Sequence, residues 1–315
     1  NLPTHGHGQG YTDLNFLIPE LVERLEYRKG AYYAEVSDFS SAGAAYLTTF
    51  ERLDEGLLKA GFGEDGYLSV LAADSVGAGE GELLYGVQAH RYDGPWVDVE
   101  EDVQRNNLLL RYSQEGPAGG AWNVAVMGYD AQWRAADQVP LRAVQSGLIS
   151  RLGSIDPSLG GATSRYSLSG AWGRDIGAAN MRVNAYMIDY DLSLFSNFTY
   201  FLDDPADGDQ FEQLDERTVT GGEIAYSLGS GAATTHTFGA MLRYDDIGDV
   251  GLFRTANLER RSTVRRDSVE ELALGAFYSN ETRWSDRLRT TLGIRVDHFD
   301  FDVTSDLAPN SGSAS

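Results

Sequence analysis

The sequence contains no cysteine among its 315 residues, which excludes disulfide bonds, thiolate metal sites and cysteine nucleophiles. It also lacks any apolar run close to the roughly 20 residues that a membrane-spanning helix requires. Any crossing of a membrane must therefore use β-strands. Basic residues are few, because 25 lysines and arginines stand against 47 acidic residues, a formal net charge of −22. This acidity argues against nucleic acid and anionic lipid as partners.

Proline is scarce, at 8 residues, whereas glycine at 36 and tyrosine at 17 are abundant. That profile is typical of long antiparallel strands with tight turns and aromatic girdles. The length suits either two soluble domains or one large all-β unit. The chain opens on Asn1 without a methionine or a signal peptide, so we expect that this is not the biological N-terminus.

Catalytic motifs are absent as well. The sequence has no His-Glu-x-x-His pair, no Gly-x-Ser-x-Gly elbow and no phosphate-binding loop. Glu270 and Glu271 are adjacent, so in a strand they point to opposite faces and cannot act together as acid and base. We therefore expect no enzymatic activity and no cofactor.

The clearest pattern is a two-residue hydrophobic alternation from Leu272 to Val303. Apolar residues and threonine occupy one side of its second half, and charged residues, threonine and glycine occupy the other: Leu288, Thr290, Leu292, Ile294 and Val296 against Arg289, Thr291, Gly293, Arg295 and Asp297. Such a strand has one apolar and one polar face. A soluble sandwich would bury the apolar face, whereas a membrane barrel would expose it to lipid. The alternation alone does not decide between them.

The turn before that strand favours the barrel. Only Ser285 to Arg287 separate it from the preceding strand, so the two form an antiparallel hairpin. Trp284 lies at this turn, and indole rings prefer the headgroup level of a bilayer. We expect Trp284 to be an interfacial residue.

From about Glu51 onward the sequence predicts about 11 strands. Their ranges are 55–63, 66–74, 81–92, 106–114, 121–133, 164–174, 181–202, 217–228, 234–245, 270–284 and 288–303. Short connections alternate with long ones, the long ones being 93–105, 135–163, 203–216 and 248–267. This sorting is typical of outer-membrane barrels, whose long loops lie outside the cell, and a soluble sandwich has no reason to show it.

One predicted strand, 181–202, is longer than the 9 to 11 residues that span a bilayer, so we expect it to project above the membrane. Its apolar face carries Ile188, Tyr190 and Leu192, and its other face carries Asp189 and Asp191. We interpret the two carboxylates as part of a hydrated lumen wall.

The first fifty residues differ in sequence pattern from the rest of the chain. His5 and His7 lie among alternate glycines, a spacing compatible with a metal site, but no third ligand follows at a recognisable distance. We interpret them as hydrogen-bonding residues of a loop. Pro19 suits the first turn of a short helix, and Glu23 to Arg28 alternate like a strand that ends at Gly30.

Two segments carry a resemblance. The run from Leu21 to Gly30 resembles the plug-domain signature of the TonB-dependent outer-membrane receptors, where a charged strand ends in a glycine turn. The family usually has proline after that glycine, and this chain has Ala31. Residues 32–35 and 42–44 resemble the last part of the plug, and the hairpin of Leu274 to Asp297 resembles one from the family's barrel.

The resemblance implies an all-β fold, an antiparallel transmembrane β-barrel that is partial, with about 11 of the family's 22 strands and the remnant of an N-terminal plug. Residues 1–50 would be the C-terminal part of the plug, and residues 51–315 the first half of the barrel. The coupling segment would then lie upstream of Asn1. By the same comparison the chain stops in a loop, and we expect such a piece, with two unpaired sheet edges, to be unstable alone.

The implied function is active uptake of a scarce substrate, such as a siderophore, another metal chelate or cobalamin, across the outer membrane of a Gram-negative bacterium. The implied partners are the TonB energy-transducing complex, the small-molecule substrate and outer-membrane lipid, with no nucleic acid. Two alternatives stay open: a passive porin, which needs no globular prefix, and a secreted β-rich binding or adhesion domain, which would stay soluble without detergent.

For substrate contacts the sequence predicts a plug loop facing the outer vestibule, with two outer-loop residues above it. The plug residues are His5, His7, Gln9 and Tyr11, and the loop residues are Trp96 and Arg142. The prediction for the plug residues rests on polar side chains that alternate with flexible glycines. The length of the 135–163 connection, typical of functional loops, carries the prediction for Arg142. Trp96 is included because residues 92–96, together with that connection, resemble segments found in one branch of the family.

Overall fold

In the computed structural model, residues 13–36, 40, 42–116, 119–231, 233–307 and 311–314 are described. They form a small and a large antiparallel sheet. Helical elements in this part of the chain include a 3-10 turn, Pro19–Leu21, and one short helix, α1, Leu141–Gln145. None of its helices is both long and apolar enough to cross a membrane.

The small sheet pairs β1, Val22–Lys29, with β2, Gly43–Thr49. The predicted strand at 23–28 and the predicted short helix at Pro19 are confirmed. The strand ends at Gly30, whose φ of 82° lies in the left-handed region that favours glycine.

The large sheet contains twelve strands, and each pairs with its neighbours in sequence. They are β3, Leu57–Phe62; β4, Leu68–Ala78; β5, Gly81–Tyr92; β6, Val103–Glu115; β7, Gly120–Arg134; β8, Gly160–Ile176; β9, Ala179–Ser196; β10, Phe211–Ser230; β11, Thr234–Ala256; β12, Glu259–Ser285; β13, Leu288–Ser305; and β14, Gly312–Ala314. The predicted strands correspond one to one to β3–β13. The sheet is open, with β3 and β14 at its edges.

The sorting of short and long connections is confirmed with one correction. Residues 248–267 were expected to form a long loop, but β11 and β12 continue through them to a two-residue turn at Asn257 and Leu258. Both turn residues have positive φ, 50° and 68°, as a tight hairpin turn requires. This extension carries many charged residues and has no continuous apolar face, so hydrophobic alternation could not reveal it.

The large sheet curves around the N-terminal segment. Leu21 packs against Leu71 and Leu84 on β4 and β5. Far along the sheet, Arg295 of β13 donates a hydrogen bond from Nη1 to the carbonyl oxygen of Ala34 at 3.2 Å. Since strands at both ends of the sheet contact the same short segment, the sheet is a wall around it. The sandwich alternative, which requires a second sheet over a shared dry interior, does not fit the described residues.

The outward side of this wall carries an apolar band. On β13, Leu292, Ile294 and Val296 are 67%, 63% and 68% exposed, while Arg295 faces the N-terminal segment. Trp284, at the turn before β13, is also exposed. The predicted faces of this strand are therefore confirmed, and the outward band is the surface that an outer-membrane barrel presents to lipid.

On β9 the predicted orientation is wrong. Ile188, Tyr190 and Leu192 are buried on the inner side of the wall, and Asp189 and Asp191 are exposed on the outer side. The upper part of β9 borders the long connections rather than the apolar band. Its outer face is therefore wet, and its apolar face packs inward against the neighbouring wall residues Val219 and Trp133.

Candidate functional site

A cavity of about 470 Å³ lies between the N-terminal segment and the inner face of the wall. It is at the end of the sheet that carries the long connections, because its wall residues come from the ends of β6–β11 adjoining those connections. Its lining consists of Asp13, Asn15, Val103, Arg105, Tyr129, Ala131, Trp133, Thr163, Leu192, Leu194, Gln213, Leu214, Asp215, Val250 and Gly251. The lining is mainly apolar with a few polar groups, as in sites for small organic ligands.

The floor of the cavity is the segment just before the 3-10 turn. Asp13 accepts a hydrogen bond from Tyr129 Oη at 2.9 Å. Asn15 accepts one at its side-chain oxygen from Arg105 Nη1 at 2.8 Å and one at its backbone oxygen from Asn107 Nδ2 at 2.7 Å. Three side chains of β6 and β7 therefore hold the floor against the wall.

Phe16 anchors the same segment by apolar contact. Its side chain is buried with Tyr129 and Ala131, and the guanidinium carbon of Arg165 lies 4.4 Å from its ring centroid. A cation over an aromatic face is attracted by the ring quadrupole, more strongly when water is excluded. This contact ties the floor to β8.

The carboxylates of the lumen wall are compensated by neighbouring arginines. Asp215 accepts two hydrogen bonds from Arg217, at 2.7 and 2.6 Å. Asp245 on the next strand accepts two from Arg243, at 2.5 and 2.7 Å. Bidentate pairs of this kind stabilise charges that would otherwise be buried alone. The cavity wall therefore contributes little net charge from these strands.

Above the cavity, a buried polar cluster joins three outer connections. Gln210 donates to Asp156 and Ser158 at 3.2 and 2.8 Å, and it accepts from Thr255 Oγ1 and from the amide of Leu258 at 2.8 and 2.9 Å. It thereby links the 135–159 and 197–210 connections to the tip of the β11–β12 hairpin.

Asn197 is a second member of this cluster and is 1% exposed. Its Nδ2 donates to Asp156 at 3.1 Å, and its side-chain oxygen accepts from the amide of Tyr200 at 2.7 Å. Although Asn197 lies in an Asn-x-Thr sequon, the side chain is occupied by these structural contacts.

Burial shifts the acidities in this cluster. Burial raises the pKa of Asp137, and the nearby Asp156 carboxylate raises it further, while the amide of Asn197, donating at 3.0 Å, opposes the shift. Burial, together with both carboxylates, raises the pKa of Tyr200 to about 12. Asp137 and Tyr200 also have positive φ, 48° and 62°. Strained backbone and a carboxyl group with a raised pKa thus occur together in one outer-loop cluster.

Of the residues predicted to bind substrate, the structure describes Trp96 and Arg142, and neither lines the cavity. His5, His7, Gln9 and Tyr11 lie outside the described residues. Trp96 donates from Nε1 to Glu101 within its own connection at 2.6 Å. Arg142 is exposed on α1, and it forms no ion pair with any described residue. Their role in binding stays a prediction.

The sequence reasoning missed the cavity residues themselves. Asp13 and Asn15 follow the predicted loop directly, so extending that loop by four residues would have included them. Three further lining residues lie at strand ends next to long connections: Arg105, Tyr129 and Trp133. Polar and aromatic side chains at such strand ends are the sequence signal that could have identified them.

A sheet of this size that curves around a globular segment and shows an apolar band outside defines a class, the plugged β-barrels of outer membranes. Solved structures of TonB-dependent outer-membrane receptors match the chain over most of its length, and it has the fold of one part of such a receptor.

Three of these structures illustrate the match. The ferric citrate transporter FecA in its unliganded form superposes with a TM-score of 0.69 at 12% identity, over 92% of this chain and 44% of FecA. The FrpB iron transporter of Neisseria meningitidis gives 0.65 at 14% identity, over 95% and 53%. The pyoverdine receptor FpvA of Pseudomonas aeruginosa PAO1, bound to pyoverdine, gives 0.64 at 12% identity, over 94% and 47%.

The chain therefore spans about half the length of these structures or less. No protein-family model matches the sequence, and no curated protein matches it. The similarity at this level of identity concerns the fold.

Proposed function

We propose that this chain is part of an outer-membrane receptor that takes up a scarce small molecule, a metal chelate or a similar compound such as cobalamin, with energy from the TonB complex. In this proposal residues 1–50 are the end of the plug and residues 51–315 are barrel wall. The neighbours named for ferric citrate, iron and pyoverdine support a chelate as the substrate class. They are transporters and receptors rather than enzymes.

The observation that carries the proposal is a cavity at the outer end of a wall whose concave side holds the N-terminal segment. Asp13 and Asn15 are hydrogen-bonded to β6 and β7 beneath the cavity, and Leu21 packs among β4 and β5 side chains. A passive pore requires an open lumen, whereas a gated receptor requires an outer binding site above a blocked passage. The geometry favours the second arrangement.

The test is made with the full-length protein that contains this chain, in its own bacterium. Deleting the gene should abolish uptake of at least one radiolabelled ferric chelate or of cobalamin under limitation, and loss of the TonB complex should abolish it equally. A permanently open conductance of the purified protein in planar bilayers would support a porin instead. Recovery of the full-length protein in solution without detergent would support a secreted binding domain.

A further inference from the structure

Several arginines of the wall are paired with a carboxylate two residues away. Besides the pairs on β10 and β11, Arg295 contacts Asp297 on β13 at 2.6 Å. Arg105 and Arg165 differ, because neither forms an ion pair with any described residue. Both contact the floor segment instead, Arg105 through Asn15 and Arg165 through Phe16.

Arg165 is the more unusual of the two. Its residue is 8% exposed, and its Nε and Nη1 atoms are buried without a hydrogen-bond partner. The Nε atom of Arg105 is also buried without a hydrogen-bond partner. Buried N–H groups of a charged side chain that lack an acceptor are strongly unfavourable, so each one calls for an explanation, such as strain, a functional role or a bound ion or water.

Of the two arginines, one lines the cavity and the other lies two residues from a residue that lines it. Arg105 lines it, and Thr163, two residues before Arg165 and on the same face of β8, lines it as well. The nearby carboxylate of Asp13 is occupied by Tyr129 Oη and by the amide and Nδ2 of Asn15. The floor therefore has one carboxylate, which is already hydrogen-bonded, and it is contacted by two guanidinium groups that still have unbonded N–H donors.

We propose that Arg165 and Arg105 form an anion-binding subsite in the floor of the cavity, which takes a carboxylate or phosphate oxygen of the ligand. A guanidinium binds such oxyanions with charge-assisted hydrogen bonds, and the buried setting strengthens them. The inference rests on the proposed function only in calling the ligand a transported substrate.

The subsite has a mechanical consequence. An oxyanion at Arg165 competes with the Phe16 ring for the same guanidinium, so binding weakens one contact that holds the floor to β8. The hydrogen bonds of Asn15 and Asp13 to β6 and β7 remain. Ligand binding is thereby linked to the position of residues 13–16 without any change in the wall.

The experiment uses the purified full-length receptor in detergent, with citrate and inorganic phosphate as probes and glucose as an uncharged control, measured by titration calorimetry. We expect saturable binding of at least one of the two anions and none of glucose. Arg165→Gln should weaken anion binding about tenfold or more, since hydrogen bonds to charged groups are lost. Arg165→Lys should retain part of the affinity because the charge remains.

Arg174→Gln is the matched control, since Arg174 is on the same strand but exposed, and it should leave anion binding unchanged. Arg105→Gln provides a second test if Arg165→Gln does not fold. Anion binding unaffected by either substitution, or absent from the wild type, overturns the subsite while chelate uptake still supports the receptor. Conversely, the protein could bind anions in an Arg165-dependent way and yet take up no substrate. That result would support the subsite and contradict the transport function.

Discussion

At the scale of single residues, Gly86 shows how closely the wall approaches the N-terminal segment. A Cβ atom built on it would lie 2.4 Å from Cδ1 of Leu21, and Leu21 is fully buried and has little room to move. Gly86→Ala in the full-length receptor should therefore lower the free energy of unfolding by about 1–3 kcal/mol. Urea denaturation of the detergent-solubilised protein measures this change.

Gly77 on β4 provides the comparison for that experiment. An added Cβ there meets no atom within 4 Å, so Gly77→Ala should leave the unfolding midpoint nearly unchanged. Equal effects of the two substitutions would mean that Leu21 does not pack against β5 in the intact receptor.

Asp137 links the outer connections to pH. Its pKa is raised above the ordinary value of 3.8, so the folded cluster holds the proton more tightly than the unfolded chain. The stabilising contribution of protonation is complete below pH 3.8 and is lost as pH rises through the raised pKa. We expect amide exchange at residues 197–200, corrected for its intrinsic pH dependence, to be slowest at pH values below the raised pKa of Asp137.

Asp137→Asn removes the titration but keeps an oxygen that can accept the hydrogen bond from the amide of Asn197. This variant should show slow exchange at all pH values in the range. An unchanged pH dependence in the variant would assign the effect to a group other than Asp137.

At the scale of elements, three outer connections behave as one unit because Gln210 bonds to all of them. Gln210→Ala should leave the amide of Leu258 and the hydroxyl of Thr255 without their acceptor, since both now donate to its side-chain oxygen. The free energy of local opening should fall by about 1–3 kcal/mol. Hydrogen exchange of the Leu258 amide in the full-length receptor reports it.

Gln145→Ala serves as the control, because Gln145 is exposed at the end of α1. It should not alter exchange at Leu258. Protection of Leu258 that survives Gln210→Ala would show that the hairpin tip is held by its own turn alone.

The long hairpins also explain why the element boundaries differ from those predicted. β10, β11 and β12 have 20, 23 and 27 residues, well beyond the 9 to 11 that cross a bilayer. Their upper parts extend beyond the exposed apolar band. The apolar alternation therefore stops where that band ends, although the hydrogen-bonded strand continues.

At the scale of the whole molecule, the outward apolar band is the surface that a lipid bilayer would cover. Ile294 is 63% exposed near the middle of β13. Ile294→Arg should destabilise the full-length receptor in lipid by about 2–4 kcal/mol, the range for arginine at the midplane of a barrel's lipid face. Unfolding in lipid vesicles by denaturant measures the change.

Leu148→Arg gives the contrast, since Leu148 is as exposed, at 70%, but lies in an outer connection after α1. Substitution there should have little effect on stability in lipid. A tolerated arginine at Ile294 would mean that this band is not in contact with hydrocarbon, and the membrane assignment would fail.

The sequence by itself determined eleven of the twelve strands of the large sheet, most of the connections between them and the apolar face of β13. Period-two alternation and turn residues are local signals, and they are sufficient where one face contacts lipid. The alternation from Glu23 to Arg28 also identified β1, and Gly30 identified its end. These features depend on neighbouring residues and on a uniform environment.

Only the tertiary structure decided which way β9 faces and which residues meet in the cavity. Ile188 and Tyr190 look the same in sequence whether they face lipid or the interior, and the choice depends on height relative to the membrane. Asp13, Arg105 and Arg165 are brought together because the wall curves around the N-terminal segment. Contacts between residues so distant in sequence follow from that curvature, and no local pattern encodes it.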